Sequence, residues 1–342
     1  MNARGVDLGA EVDWGALGRA LAVLAPLALL IATTDKPVWL QVSIVTVSAF
    51  IAVERSALAP AGVLLHGAVM MAGFLLLLLS WPVPALFVLL CALLAGGAVL
   101  LTVHGARLRS LGNFTFIPAL HLAYKTASGS HGASLADAGA ALLPYMAVAL
   151  LPPLVLAVGL HGRHRGSGVL PHLARLLREQ ERGESGWSGE AQLAVVLAVA
   201  TAAALVEWQR LGHGQWLIWS AASVVTGDVV SARLKLRERS VGALFGVPVG
   251  MVLGLWLPHD AVLYGVLAFA TLLSLVTFRR YIVGFGLRCA FAALSILVAG
   301  QTLPQAAERV ENVLLGGAIG IFFVLLAHAV VVGWPWGRGR RP

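Results

Sequence analysis

Apolar residues run along this chain in twelve stretches, at 16–33, 38–53, 58–80, 82–103, 111–126, 139–160, 190–206, 214–231, 239–257, 260–277, 280–300 and 308–333. Crossing a hydrocarbon core takes about 20 such residues, with a range of roughly 17–25. Each stretch therefore predicts a transmembrane helix, the one at 111–126 being the most polar through Asn113, Pro118, His121 and Tyr124. Within 239–257, Gly242, Gly246, Gly250 and Gly254 recur every fourth residue. On a helix that spacing strips side chains from one narrow face. In water each interior glycine costs roughly 1 kcal/mol against alanine. Between helices in lipid the bare face is an advantage, because association there depends on close backbone contact. Gly316 and Gly320 repeat the pattern in the last stretch. These six glycines are expected to pack helices together.

The pattern also repeats on a larger scale. Trp39-Leu-Gln-Val-Ser43 resembles Trp216-Leu-Ile-Trp-Ser220, Ser80-Trp-Pro82 matches Leu257-Pro258, and 106–112 matches 278–284. Each half then holds an even number of spans, so both insert in one orientation and form a parallel repeat about the membrane normal. The fold class expected is an all-α polytopic membrane protein of about twelve helices in two six-helix parallel repeats. Residues 1–160 form one half and 190–342 the other, with a basic cytoplasmic hinge at 161–189. In that hinge Leu173, Leu176 and Leu177 alternate with Arg175 and Arg178, as in a short surface helix or a solvated linker.

Composition agrees: 59% of residues are hydrophobic and 12% charged, against about 25% charged in soluble domains. The net charge of +8 is explained by loop bias rather than by nucleic acid. With the N-terminus cytoplasmic, the inside segments hold 19 of the 24 basic residues. Among them are Arg55, Arg107, Arg109, Arg163, Arg165, Arg233, Lys235, Arg237, Arg239, Arg279 and Arg280. The outside loops hold Lys36, Lys125, Arg210 and Arg309, and Arg288 lies within a span. That asymmetry places both termini in the cytoplasm. Glu11, Asp13 and Arg19 before the first apolar run argue against a cleavable signal peptide. Cys91 and Cys289, both inside apolar stretches, read as packing residues.

No catalytic or nucleotide-binding motif is present, so neither enzyme activity nor a cofactor is expected. His161, His164 and His172 read as part of a charged loop rather than a metal site. Better candidates lie in the second span of each half, at 38–53 and 214–231. Both are short, and paired short spans in matching places point to a central binding site. Trp39, Ser43 and Thr46 in the first, and Trp216, Ser220 and Ser223 in the second, are candidate path residues. The alternative is an aromatic belt with hydroxyls bonded to their own helix. At the inner ends Glu54 and Arg55, and Asp228 and Arg233, are candidates for carrying protons or holding an anion. Pairs that simply mark the lipid boundary are the other reading. Arg288 lies on the order of 10 Å inside its span at 1.5 Å per residue, where arginine is costly unless it meets water or a partner. Its natural ligand is a carboxylate or phosphate.

At 205–330 the chain resembles the fusaric acid resistance (FUSC), or aromatic acid exporter, family. Trp216, Arg233, Arg239, Gly242, Gly246 and Gly250 carry the resemblance, with Arg279-Arg-Tyr281, Arg309-Val-Glu-Asn312 and Gly316…Gly320. The first half departs from it, with only Gly73 matching the glycine ladder, near Gly250. The large cytoplasmic domain of longer members is replaced by the short hinge. The resemblance implies a bacterial inner-membrane protein exporting aromatic or other organic carboxylates. Plant relatives are anion channels. The expectation is a proton-coupled exporter in the lipid bilayer, working as a homo-oligomer on a small organic anion, with Glu54 or Asp228 as proton carrier. A passive anion channel and a non-transporting membrane subunit are the alternatives.

Overall fold

The computed structural model describes residues 11–101, 106–130, 134–163, 189–225 and 228–333. Most of the expected hinge lies outside them. Thirteen helices are present among these residues. The first seven are α1 (Trp14–Thr34), α2 (Val38–Ser56), α3 (Pro60–Ser80), α4 (Pro84–Leu100), α5 (Ala106–Gly129), α6 (Leu135–Ala149) and α7 (Leu151–Arg163). Then follow α8 (Gly189–Gln209), α9 (Gln215–Val224), α10 (Val229–Gly254), α11 (Ala261–Leu273), α12 (Tyr281–Val298) and α13 (Leu303–Gly333). α6 and α7 together form one apolar span, Leu135–His161. Seven spans are long and apolar enough to cross a membrane: α1, α2, α3, the α6–α7 unit, α8, α12 and α13. α4 and α11 are shorter apolar helices. The chain is a polytopic helical membrane protein.

Local chemistry sets the helix starts. Asp13, Asp228 and Asp260 each accept a bond from the backbone N–H three residues on, at 2.9, 2.8 and 2.7 Å. These bonds satisfy donors that a helix leaves unpaired at its first turn. Pro60 and Pro84 open α3 and α4, where the missing N–H costs nothing.

α3 packs on α5, α2 on α6 and α1 on α2. In the second half α10 packs on α12, α9 on α13 and α8 on α9. The halves meet mainly where α4 lies along α8. A second tie is backbone pairing: Asp13 N–H donates to Thr277 O at 2.7 Å, and Arg279 N–H to Glu11 O at 3.0 Å. The same segment brings the buried carboxylate of Glu11 to Arg280.

The glycine ladder of α10 lies against α12. A Cβ at Gly246 would overlap the carbonyl of Gly286, its carbon at 2.9 Å, and one at Gly250 would overlap that of Ala290. At Gly242 and Gly254 it would meet Phe285 Cδ1 at 2.9 Å and Leu297 Cδ1 at 2.6 Å. Gly316 and Gly320 sit in the same way against α9, where a Cβ at Gly320 would stand 2.8 Å from Ala221 O.

Two expectations about the elements need correcting. The first of the paired short spans is not short, since α2 runs for 19 residues. The second stops early: α9 has ten residues, and Val225 is extended with φ −72° and ψ 95°. The basic stretch Arg233–Arg239 is helical, lying in the first half of the 26-residue α10.

Candidate functional site

Arg239, on the same face of α10 as its glycines, is only 3% exposed. Arg288 of α12 is 6% exposed and Arg309 of α13 is 5% exposed. All three line one pocket, completed by Trp216 and Trp219 of α9, Phe285 of α12 and Val313 of α13. None of these lining residues is a carboxylate, and among the described residues no ion pair joins these arginines to one.

The guanidiniums are held by rings and neutral oxygens. Arg288 donates from Nε to Ser274 Oγ at 3.2 Å and from Nη2 to Ser274 O at 3.2 Å. Arg239 donates from Nη1 to the Tyr281 hydroxyl at 3.0 Å and lies 4.4 Å from the Phe285 ring centre. Arg309 lies 4.6 Å from the ring centre of Trp216. Lys235, one turn before Arg239, puts its ammonium 3.3 Å from the Tyr281 ring centre. The Nε atoms of Arg239 and Arg309 are buried with no hydrogen-bond partner among the described residues.

Burying an uncompensated charge costs several kcal/mol even after relaxation, and a cation–π contact returns about 0.5–2 kcal/mol. An anion within about 4 Å of one guanidinium would gain roughly 4 kcal/mol at an effective dielectric of 20. The pocket therefore has the electrostatics of an anion site with aromatic walls. In the first half, His66 lies buried between Thr115 Oγ1 (3.0 Å from Nδ1) and Ser48 Oγ (3.4 Å from Nε2).

The residues picked out from sequence divide sharply. Arg288 and Trp216 line the pocket. Ser220 donates across to Val313 O of α13 at 2.8 Å, and Ser223 to Ser220 O of its own helix at 3.2 Å. In the first half Trp39 donates to Thr34 Oγ1 at 3.0 Å, Ser43 to Trp39 O at 2.7 Å and Thr46 to Ala149 O at 2.6 Å. These three sit in the bundle core, away from the arginines. Glu54 does not pair with Arg55; it takes both bonds of the Arg19 guanidinium at 2.8 Å. Arg55 reaches Leu275 O at 3.4 Å instead. Asp228 caps α10, and Arg233 is exposed on that helix.

By loop position Arg239 counts as inside and Arg309 as outside, whereas in the structure both line the pocket. A signal for them existed. Arg239, Gly242 and Gly246 share one helical face, as do Arg309, Val313, Gly316 and Gly320, so each arginine continues a packing face. Phe285 carried no such mark.

Neither a curated protein nor a solved structure matches the chain. Residues 193–323 match the model of a family described as fusaric acid resistance protein-like. That region runs from α8 into α13 and contains every residue that lines the pocket. Over this region, which is less than half of the chain, the protein is similar to the fusaric acid resistance protein-like family.

Proposed function

We propose that the protein exports organic carboxylates, aromatic ones above all, across the bacterial inner membrane, and that the arginine pocket is where they bind. The observation that carries this reading is three buried arginines around one recess lined by no carboxylate. Their charge selects an anion, and the Trp216, Trp219 and Phe285 rings favour one with a flat apolar body. The fusaric acid resistance-like match favours transport over catalysis.

In this reading the helices cross the bilayer as two parallel halves, with both termini cytoplasmic. Matching neighbours support it: α1–α2, α3–α5 and α4–α5 in the first half correspond to α8–α9, α10–α12 and α11–α12 in the second. The early end of α9 supports the binding role of the pocket rather than the repeat, since interrupted helices line central sites in many transporters.

The test is flux from proteoliposomes loaded with a panel of aromatic and aliphatic carboxylates. Uptake or release that Arg288→Gln abolishes is the expected result. A purified protein that moves no anion is a membrane subunit of something else, and the reading fails. Running the assay with and without a pH gradient, on Glu54→Gln and Asp228→Asn as well, separates proton-coupled export from a passive channel.

A further inference from the structure

One wall of the pocket is stacked against an imidazole. Trp216, which carries Arg309 over its ring, also carries the imidazole of His213, stacked at 4.6 Å with 9° between the planes. His213 Nδ1 lies 2.9 Å from Glu308 Oε2, and Glu308 directly precedes Arg309 on α13. The ring has little freedom to leave. Its residue sits in the tight α8–α9 turn, where Leu211 N–H donates to Val206 O at 3.2 Å and Gly214 N–H to the Tyr124 hydroxyl at 3.2 Å. The Tyr124 hydroxyl in turn donates to Leu211 O, and Asn312 Nδ2 donates to His213 O at 3.5 Å.

We propose that His213, held against Trp216 by Glu308, is a proton-responsive positioning residue of the arginine pocket, so that protonation there and anion binding favour each other. This rests on the anion-site reading above. The charged and titratable groups around the turn are Glu207 and Arg210 of the α8 end, Tyr124, His121 and Lys125 of α5, and Glu308 and Arg309 of α13. Of these, Glu308 alone is bonded to the imidazole among the described residues. A proton on His213 puts a cation on the ring that Arg309 already uses. That adds positive charge beside the recess and draws on the same indole ring as Arg309, loosening the guanidinium for an incoming anion. By linkage, an anion in the pocket favours the proton to the same degree.

The experiment is equilibrium binding of benzoate to the purified full-length protein between about pH 5.5 and 8.5, a range spanning histidine titration in which benzoate stays ionised. The expected result is binding about fivefold tighter at the acid end, at the lower edge of usual coupling strengths. His213→Phe keeps a flat ring on Trp216 but takes no proton, and it should flatten the dependence. His213→Gln, which keeps a polar contact to Glu308, should flatten it too and guards against one variant misfolding. A flat wild-type profile, or an unchanged profile in both variants, overturns the role of His213 while leaving the pocket standing. Absence of benzoate binding at every pH overturns the anion site, and this inference with it.

Discussion

Replacing Gly246 with alanine sets two effects of known sign against each other. Alanine gains about 1 kcal/mol of helix propensity over glycine. Its methyl would meet Gly286 carbonyl carbon at 2.9 Å and Cys289 Cβ at 3.1 Å, where carbon atoms prefer about 3.5–4.0 Å. The Gly286 carbonyl oxygen is closer still and, being backbone, cannot rotate away, so α10 and α12 must part by about 1 Å. A gap of that size forfeits about a quarter to a half of each dispersion contact. The loss falls along a seam that also includes Gly242 and Gly250. Overpacking of this kind costs about 1–3 kcal/mol, and rigid backbone puts this case near the upper end. The net is a loss of about 2 kcal/mol, or a few degrees in Tm. Gly286→Ala is the internal control. Its methyl would stand 3.6 Å from both Gly242 Cα and Gly242 O, an ordinary contact, so the propensity gain stands and Tm should hold or rise. Thermal unfolding of both variants in the same detergent decides the matter. A Gly246→Ala protein as stable as Gly286→Ala would refute the argument that bare backbone holds these helices together.

Other consequences can be measured in parallel. Arg288→Gln and Arg309→Gln should each weaken benzoate binding about 10- to 100-fold, the range for one hydrogen bond to a charged group at about 1.5–3 kcal/mol, as read by isothermal titration. Arg280→Ala leaves the Glu11 carboxylate, 5% exposed, without its counter-ion. Because that charge stays buried and uncompensated, the loss should be about 3 kcal/mol, seen as a lower Tm. Glu54→Gln removes a pair whose Arg19 side is also half exposed and should cost less than about 1 kcal/mol. A larger drop in Tm would mean that the pair holds α1 to α2.

Much was legible along the chain because helical membrane proteins write their local rules openly. Every apolar stretch contains helix, and the four-residue glycine step marks the α10 face that meets α12. Arg288 stood out because charge inside an apolar run is expensive. Thr46 and Ser220 show where such reading stops. Both looked like lining for a polar path, yet each donates to a carbonyl on a neighbouring helix. A hydroxyl looks the same in sequence whether it faces a ligand or a backbone oxygen. Arg239 and Arg309 misled in another way, since sorting cations by loop assigns them to opposite faces.

By itself the sequence determined that this is a helical membrane protein, roughly where its apolar helices run, which faces are bare of side chains and which family its second half resembles. Those properties come from hydropathy and from a period of 3.6 residues, interactions that reach no further than a few positions. Only the tertiary structure decided that Arg239, Arg288 and Arg309 converge, that Glu54 answers Arg19, and that His213 rests on the pocket wall. The arginines stand 49 and 21 residues apart in the chain. Their meeting depends on glycine seams letting α10, α12 and α13 close around the short α9, which is a property of how helices pack and not of any one of them.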